Sequence, residues 1–324
     1  MHKVPVGVLG ASGYAGRELC GLIARHPGLE LAFAAANEQR GQRLRVGADE
    51  VTYVSTEDAP LAKAEVVFTA LPHGTAATWV VNAKATGARV VDLSSDFRPG
   101  AKAAGNGTHA QYGLTELMRA NISGAQVVAN PGCYATAVLI AIAPLLMEKW
   151  ILPGATINVA AASGVTGAGY SVRPDLLFAE VAEDFRAYSV GNEHRHLPEM
   201  RAVAAKLGAV DNDILFTPHL LPVARGILAT IMVPVKERID DPSALWRDCY
   251  GEEAFVEIAD QPPSLRDVVR RNVVRISIAN AANVRQPTLI IIAAIDNLMK
   301  GAAGQALQNA NVLLGLNEQA GLPR

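Results

Sequence analysis

Val4-Pro5-Val6-Gly7-Val8-Leu9-Gly10-Ala11-Ser12-Gly13-Tyr14-Ala15-Gly16 is an apolar, valine-rich run that ends in three glycines spaced G-x-x-G-x-x-G. A helical pattern follows at 17–26, so the stretch reads as strand, glycine turn and helix. Glycines let a backbone approach a pyrophosphate, and a helix start offers unpaired N–H groups and the positive end of its dipole to that charge. Gly10, Ser12, Gly13, Tyr14, Ala15 and Gly16 are therefore candidate cofactor contacts. The plain alternative is a tight turn without a ligand. Cys20, inside the helical pattern among Leu19, Leu22 and Ile23, reads as packing.

The pattern continues as an open parallel sheet. A second strand at 29–35 runs into Asn37-Glu38-Gln39-Arg40, where a dinucleotide fold meets the adenosine ribose. An acidic residue there bonds the ribose of NAD, whereas an arginine accommodates the extra phosphate of NADP; Glu38 and Arg40 are both present, and the residues leave the choice open. Strands at 66–71 and 89–93 flank a helical pattern at 75–86. Their loops, Pro72-His73-Gly74 and Ser94-Ser95-Asp96-Phe97-Arg98, lie at strand C-terminal ends, where such sheets hold ligands. His73, Ser95 and Arg98 are thereby expected near the cofactor.

Asn130-Pro131-Gly132-Cys133-Tyr134-Ala135-Thr136 places a single cysteine between a short strand at 127–129 and an apolar helical segment at 134–147 that is broken by Pro144. A thiol at a helix N-terminus favours the thiolate, which is the nucleophilic form. Beyond it come a strand at 156–161, a second glycine loop Ser163-Gly164-Val165-Thr166-Gly167-Ala168-Gly169, and Tyr188. His194-Arg195-His196-Leu197-Pro198-Glu199 leads a helix to Leu207, with Pro198 in its first turn and Gly208 at its end. We expect the two histidines on an extended segment, from which either imidazole reaches Cys133. Strands at 214–217, 226–234, 273–278 and 289–295 make a substantial second sheet, a helical pattern at 243–250 holds Cys249 as packing, and a small-residue helix closes the chain.

Composition narrows the function. The chain has 324 residues, half of them apolar, enough for two domains with sizeable cores. Net charge is −2 with no basic block, so neither nucleic acid nor an anionic membrane is an expected partner. No secretory signal is visible, and the most apolar segment is too short to cross a bilayer. Three widely spaced cysteines argue against a disulfide framework and fit a reducing cytosol, so a cytoplasmic location is expected. Without C-x-x-C or H-x-x-x-H spacing, no metal site is expected.

These motifs together resemble the N-acetyl-gamma-glutamyl-phosphate reductases of arginine biosynthesis, within the semialdehyde dehydrogenase superfamily. The resemblance runs nearly end to end: Gly10 to Gly16, Leu71-Pro-His-Gly74, Asp92-Leu-Ser-Ser-Asp-Phe-Arg98, Asn130 to Tyr134, Ser163 to Gly169, His194 to Glu199, Phe216-Thr-Pro-His-Leu220, Arg225-Gly-Ile227 and Asp296-Asn-Leu-Met-Lys-Gly-Ala-Ala-Gly304. It implies a Rossmann-type α/β domain for NADP at 1–132, completed by a C-terminal helix at 298–324, and an α+β catalytic and oligomerisation domain at 133–297. It further implies Cys133 as nucleophile, His196 as acid–base group, and Arg98, Asn130, Tyr188, Glu199 and Arg225 at the substrate. Ser163, Gly164 and Asn297 would face the nicotinamide, and the partner would be a second copy, as dimer or tetramer.

The implied reaction is reduction of an acyl phosphate through a cysteine thioacyl intermediate. Three alternatives are the same chemistry on a carrier-protein-bound substrate, a cofactor-free cysteine acyltransferase or hydrolase using Cys133 and His196, and a non-catalytic NADP-sensing regulator.

Overall fold

A computed structural model describes residues 3–46, 49–101, 107–209 and 211–324 and divides into two compact units, 1–132 with 302–323, and 133–301. In the first unit the valine-rich runs become strands and the periodic segments helices: β1 (Val4–Leu9), α1 (Tyr14–Arg25), β2 (Leu29–Ala35), β3 (Arg43–Val46), β4 (Asp49–Thr52), β5 (Val66–Thr69), α2 (Ala76–Ala85), β6 (Arg89–Asp92), β7 (Gln111–Tyr112), α3 (Thr115–Ile122) and β8 (Val127–Ala129). Six strands form one sheet in the order β2-β1-β5-β6-β8-β7, every pair parallel. Strands such as Val66–Thr69, buried at every position, suit a sheet covered on both faces. The chain leaves β1 toward β2 on one side and returns to β5 on the other. That reversal opens a crevice at the strand ends, where doubly wound sheets hold ligands. α1 begins at Tyr14, three residues earlier than its apolar pattern indicates, because Gly13 already serves as its N-cap.

The second unit is mixed α/β. It contains α4 (Cys133–Met147), β9 (Thr156–Gly164), α5 (Phe178–Val181), β10 (Arg186–Ala187), α6 (Leu197–Leu207), β11 (Asp213–Leu221), β12 (Ile227–Pro234), α7 (Ala244–Tyr250), β13 (Val256–Ile258), β14 (Val274–Asn280) and β15 (Thr288–Ile295). The seven-stranded sheet runs β10-β11-β9-β12-β15-β14-β13, with β9 parallel to β11 and antiparallel to β12. α4 is buried from Tyr134 through Leu146. Pro144 does not end it, contrary to the sequence reading. A proline cannot bond the carbonyl four residues back, and that carbonyl, Ile140 O, instead accepts the Tyr250 hydroxyl at 2.8 Å. Trp246 Nε1 donates to the next carbonyl, Ala141 O, at 2.9 Å.

After β15 a π-helical turn, Met299–Ala303, leads into α8 (Gly304–Leu314), which belongs to the first unit. Its small-residue pattern conceals a polar seam. Gln305 donates to Gly113 O and Thr115 Oγ1, Asn309 to Gly113 O and Asn130 Oδ1, and Asn311 to Glu318 O and Ala320 O. These amides are fully buried, and the helix is held by their hydrogen bonds as well as by apolar contact, with Gln305 Oε1 alone of the three amide oxygens left without a partner.

Candidate active site

In the first unit the turn between β1 and α1 is tight by construction. Gly10 has φ +77°, and a Cβ there would lie 2.3 Å from Ala70 O; a Cβ on Gly16 would lie 2.3 Å from Gly10 O. Gly13 faces more open space, with its nearest such contact at 3.6 Å, and caps α1 with no side-chain hydrogen bond. Gly13, as the N-cap, brings no side chain over the first turn of α1, where Tyr14, Ala15 and Gly16 stand. That cradle fits a pyrophosphate. At the end of β2, Asn37 Oδ1 accepts the Thr56 N–H at 2.7 Å, Glu38 and Arg40 are exposed, and Gln39 is half-buried.

The strand-end loops of this unit brace one another. His73 Nδ1 accepts the Ser95 N–H at 2.9 Å, and Asp96 accepts the N–H groups of Gly74 and Ala76 at the start of α2. Asp92 is fully buried and takes the Thr69 and Ser94 hydroxyls; burial raises its carboxyl above the ordinary range against the lowering effect of those bonds. Arg98 is buried and donates to Asn130 O and Leu93 O, both at 2.8 Å. The Asn130 amide donates to Ala302 O at 3.2 Å and accepts from Asn309 at 3.0 Å. Both residues therefore hold the loop that leads to Cys133.

In the second unit Cys133 is the first residue of α4 and half-buried. It opens into a cavity of about 440 Å³. Behind it lies Gly301, where an added Cβ would approach Cys133 Cβ to 2.7 Å. The turn that brings Gly301 there is organised by buried Asp296, whose carboxylate accepts the N–H groups of Leu298, Met299 and Arg270 and whose carbonyl accepts that of Gly301. Arg225 reaches the same carboxylate at 3.4 Å. Asn297 Oδ1 accepts the Gly226 N–H at 2.8 Å and its Nδ2 donates to Thr166 Oγ1 at 2.9 Å, pinning the glycine loop that follows β9.

Two phenols line the cavity. Tyr188 donates to the Tyr134 hydroxyl at 3.2 Å, and Tyr134 donates to His219 O at 3.4 Å. Both phenols titrate above the ordinary range, mainly through burial. They remain protonated donors at neutral pH.

The histidines correct one expectation. The segment is a turn, closed by the Leu197 N–H on His194 O at 2.9 Å, and His196 is the N-cap of α6 with φ −85° and ψ −8°. The turn gathers both rings, with centroids 4.9 Å apart, at the edge of Tyr134. His194 Nδ1 accepts the His196 N–H at 3.1 Å. Burial first, and the Arg195 charge second, push its pKa down to about 4. Glu199 is buried in the first turn of α6.

The cavity thus brings together Cys133, Ser163, Gly164, Tyr188, His194 and His196. Glu199, Arg225 and Asn297 are not among its lining residues. Among the lining residues to which the sequence reading gave no role are Tyr134, Arg173, Arg186 and Arg195. Arg195 had a signal, its place between the two histidines. Arg173 and Arg186 lie in a segment without periodicity.

Residues 5–125 match the family model described as semialdehyde dehydrogenase, NAD binding domain, and residues 133–297 the one described as semialdehyde dehydrogenase, dimerisation domain. An N-acetyl-gamma-glutamyl-phosphate reductase of Acidothermus cellulolyticus is 42% identical, over 98% of this chain and 97% of that one. The chain belongs to the N-acetyl-gamma-glutamyl-phosphate reductase family. Another member, from Neisseria meningitidis serogroup C, is 38% identical over 99% of this chain and 97% of its own length. The family fold extends to aspartate semialdehyde dehydrogenases. Aspartate semialdehyde dehydrogenase II from Vibrio cholerae, complexed with ASA, superposes with TM-score 0.77 at 19% identity, covering 97% of this chain and 99% of that one. The Candida albicans aspartate semialdehyde dehydrogenase with NADP gives 0.67 at 15%, over 96% and 98%.

Proposed function

We propose that the protein reduces N-acetylglutamyl 5-phosphate to N-acetylglutamate 5-semialdehyde with release of phosphate, as a step of arginine biosynthesis. The single observation that carries this reading is Cys133 at the start of α4, opening into a cavity shared with His196, in a chain of this family. Full-length relatives carry the reductase name, so carrier-bound substrates, cofactor-free acyl transfer and a purely regulatory role are not favoured.

Cys133 as thiolate attacks the acyl carbonyl, the bond to phosphate breaks, and a thioester remains on the enzyme. When bound, a nicotinamide dinucleotide supplies the hydride that takes the thioester to the aldehyde level. Collapse of the resulting thiohemiacetal then returns the Cys133 thiolate and releases the semialdehyde. His196 holds and returns the proton at the carbonyl oxygen. The neighbouring histidine supports this assignment. With Nδ1 of His194 accepting a backbone N–H, its neutral ring carries the proton on Nε2 and has no lone pair left with which to act as a base.

In this reading residues 1–132 with the C-terminal helix bind the dinucleotide, NADP in preference to NAD. Gly10, Ser12, Gly13, Tyr14, Ala15 and Gly16 hold the pyrophosphate, and Arg40 meets the 2′-phosphate with Asn37, Glu38 and Gln39 around it. Residues 133–297 carry catalysis and subunit contact. Ser163 and Gly164 border the nicotinamide, with Asn297 bracing their loop. Tyr188 shapes the substrate site with Glu199 and Arg225 behind its walls, while Arg98 and Asn130 hold the loop that leads to Cys133. The partner is a second copy, seated on the open sheet face where Leu215, Asn158, Met232 and Ile290 align across β11, β9, β12 and β15. Leu215 and Met232 are 46% and 37% exposed there, although apolar.

The test is the reaction run backwards: phosphate-dependent reduction of NADP by N-acetylglutamate semialdehyde. Turnover that needs both phosphate and the acetylated aldehyde is expected. Absence of phosphate dependence overturns the reading.

A further inference from the structure

Three arginines line the cavity that holds Cys133, and two of them are already held by carboxylates. Arg173 makes a two-point contact with Asp175, Nε to Oδ1 at 3.0 Å and NH2 to Oδ2 at 2.6 Å. Arg186 pairs with Asp184 and donates to the carbonyls of Glu180 and Asp175. Arg195 differs. Among the described residues no carboxylate forms an ion pair with it and no hydrogen bond engages its guanidinium, although it is fixed in the middle of the His194–His196 turn. Its charge reaches the cavity, where it opposes protonation of His194 and favours ionisation of Tyr188.

A guanidinium is a planar fork of donors that matches a carboxylate. The substrate of the proposed reaction carries two anionic groups, the phosphate that leaves and the α-carboxylate that stays through the whole reaction. We propose that Arg195 binds the α-carboxylate, and so selects acyl phosphates and aldehydes that carry one. The arginine sits on the turn that carries His196, so a carboxylate fastened there positions the far end of the substrate relative to the acid–base group. An anchor of this kind acts equally on ground and transition states. Its loss therefore raises KM and leaves kcat nearly unchanged.

The proposal rests on the reductase reading, and its test separates the two. Wild type, Arg195→Ala and Arg195→Lys are assayed in the reverse direction with N-acetylglutamate semialdehyde and with 4-acetamidobutanal, the same aldehyde without the carboxylate. For wild type, KM is expected to be roughly 10–100-fold higher for the second aldehyde. In Arg195→Ala the two values converge, kcat for N-acetylglutamate semialdehyde stays within about threefold, KM for inorganic phosphate is unmoved, and Arg195→Lys recovers part of the discrimination. A second readout needs no turnover: calorimetric binding of N-acetylglutamate against 4-acetamidobutyrate, with the same loss of preference in Arg195→Ala. Discrimination that survives in Arg195→Ala overturns the proposal, as does a rise confined to KM for phosphate, which would assign Arg195 to the phosphate instead. If wild type turns over neither aldehyde, the reductase reading fails, and the binding preference still decides the role of Arg195.

Discussion

The backbone N–H of His196 donates to Nδ1 of His194 at 3.1 Å, so the two histidines of one turn differ in what their rings can do. Protonating His194 would place a hydrogen on Nδ1, against that N–H. His196→Asn is expected to slow the chemical step by about a hundredfold or more, with His194→Asn much milder. pH–rate profiles of both variants check it: the neutral-range limb should vanish in the His196 variant, and its loss in the His194 variant alone would reverse the assignment.

Burial of the His194 ring, aided by the Arg195 charge, has a stability consequence. The His194 pKa lies near 4 in the folded chain and near 6.5 unfolded. Above pH 6.5 neither state binds the proton and the group contributes nothing. Between 6.5 and about 4 only the unfolded state binds it, so stability falls as pH falls. His194→Gln removes that component. Its deficit relative to wild type in urea unfolding should shrink by roughly 2 kcal/mol from pH 7.5 to pH 5. An unchanged difference at the two pH values would show that the ring is not held neutral.

Cys133→Ser tests the nucleophile. A serine hydroxyl at the start of α4 is far less ionised than a thiol, so turnover should fall by roughly a thousandfold or more while dinucleotide binding persists. Wild-type-like rates would end the thioacyl mechanism.

Gly301→Ala tests the packing behind that nucleophile. The new Cβ would meet Cys133 Cβ at 2.7 Å and Asp296 O at 3.3 Å, so the start of α4 must shift. A displacement of about 1 Å at a reacting atom costs up to a hundredfold. We expect kcat to drop by roughly 10–100-fold with a smaller change in KM, together with a slower reaction of Cys133 with iodoacetamide. Unchanged alkylation and kcat would mean that the helix absorbs the methyl elsewhere.

For the cofactor, Glu38 and Arg40 are both exposed in the turn that follows β2. Arg40→Ala should lower kcat/KM with NADPH about tenfold and leave NADH nearly untouched. Equal or better efficiency of the wild type with NADH would put Glu38 on the ribose.

What the sequence by itself determined was local. The valine-rich run before Gly10, the glycine spacing and the helix after it specify a strand–turn–helix, because these choices are set by residues within one or two turns of one another. Cys133 at a strand–helix join was legible for the same reason, as was the run of strands that makes the second sheet. Tertiary structure decided what depends on partners distant in the chain. α4 passes through Pro144 because Tyr250 satisfies Ile140 O from 110 residues away. Buried Gln305, Asn309 and Asn311 turn a small-residue helix into a polar seam, since hydrogen bonds to distant backbone carry no periodic signature. The histidine pair reads as extended until its turn is closed by Leu197 on His194. Arg173 enters the cavity from an irregular segment and Arg186 from the two-residue strand β10, neither with a repeat long enough to indicate which way a side chain faces.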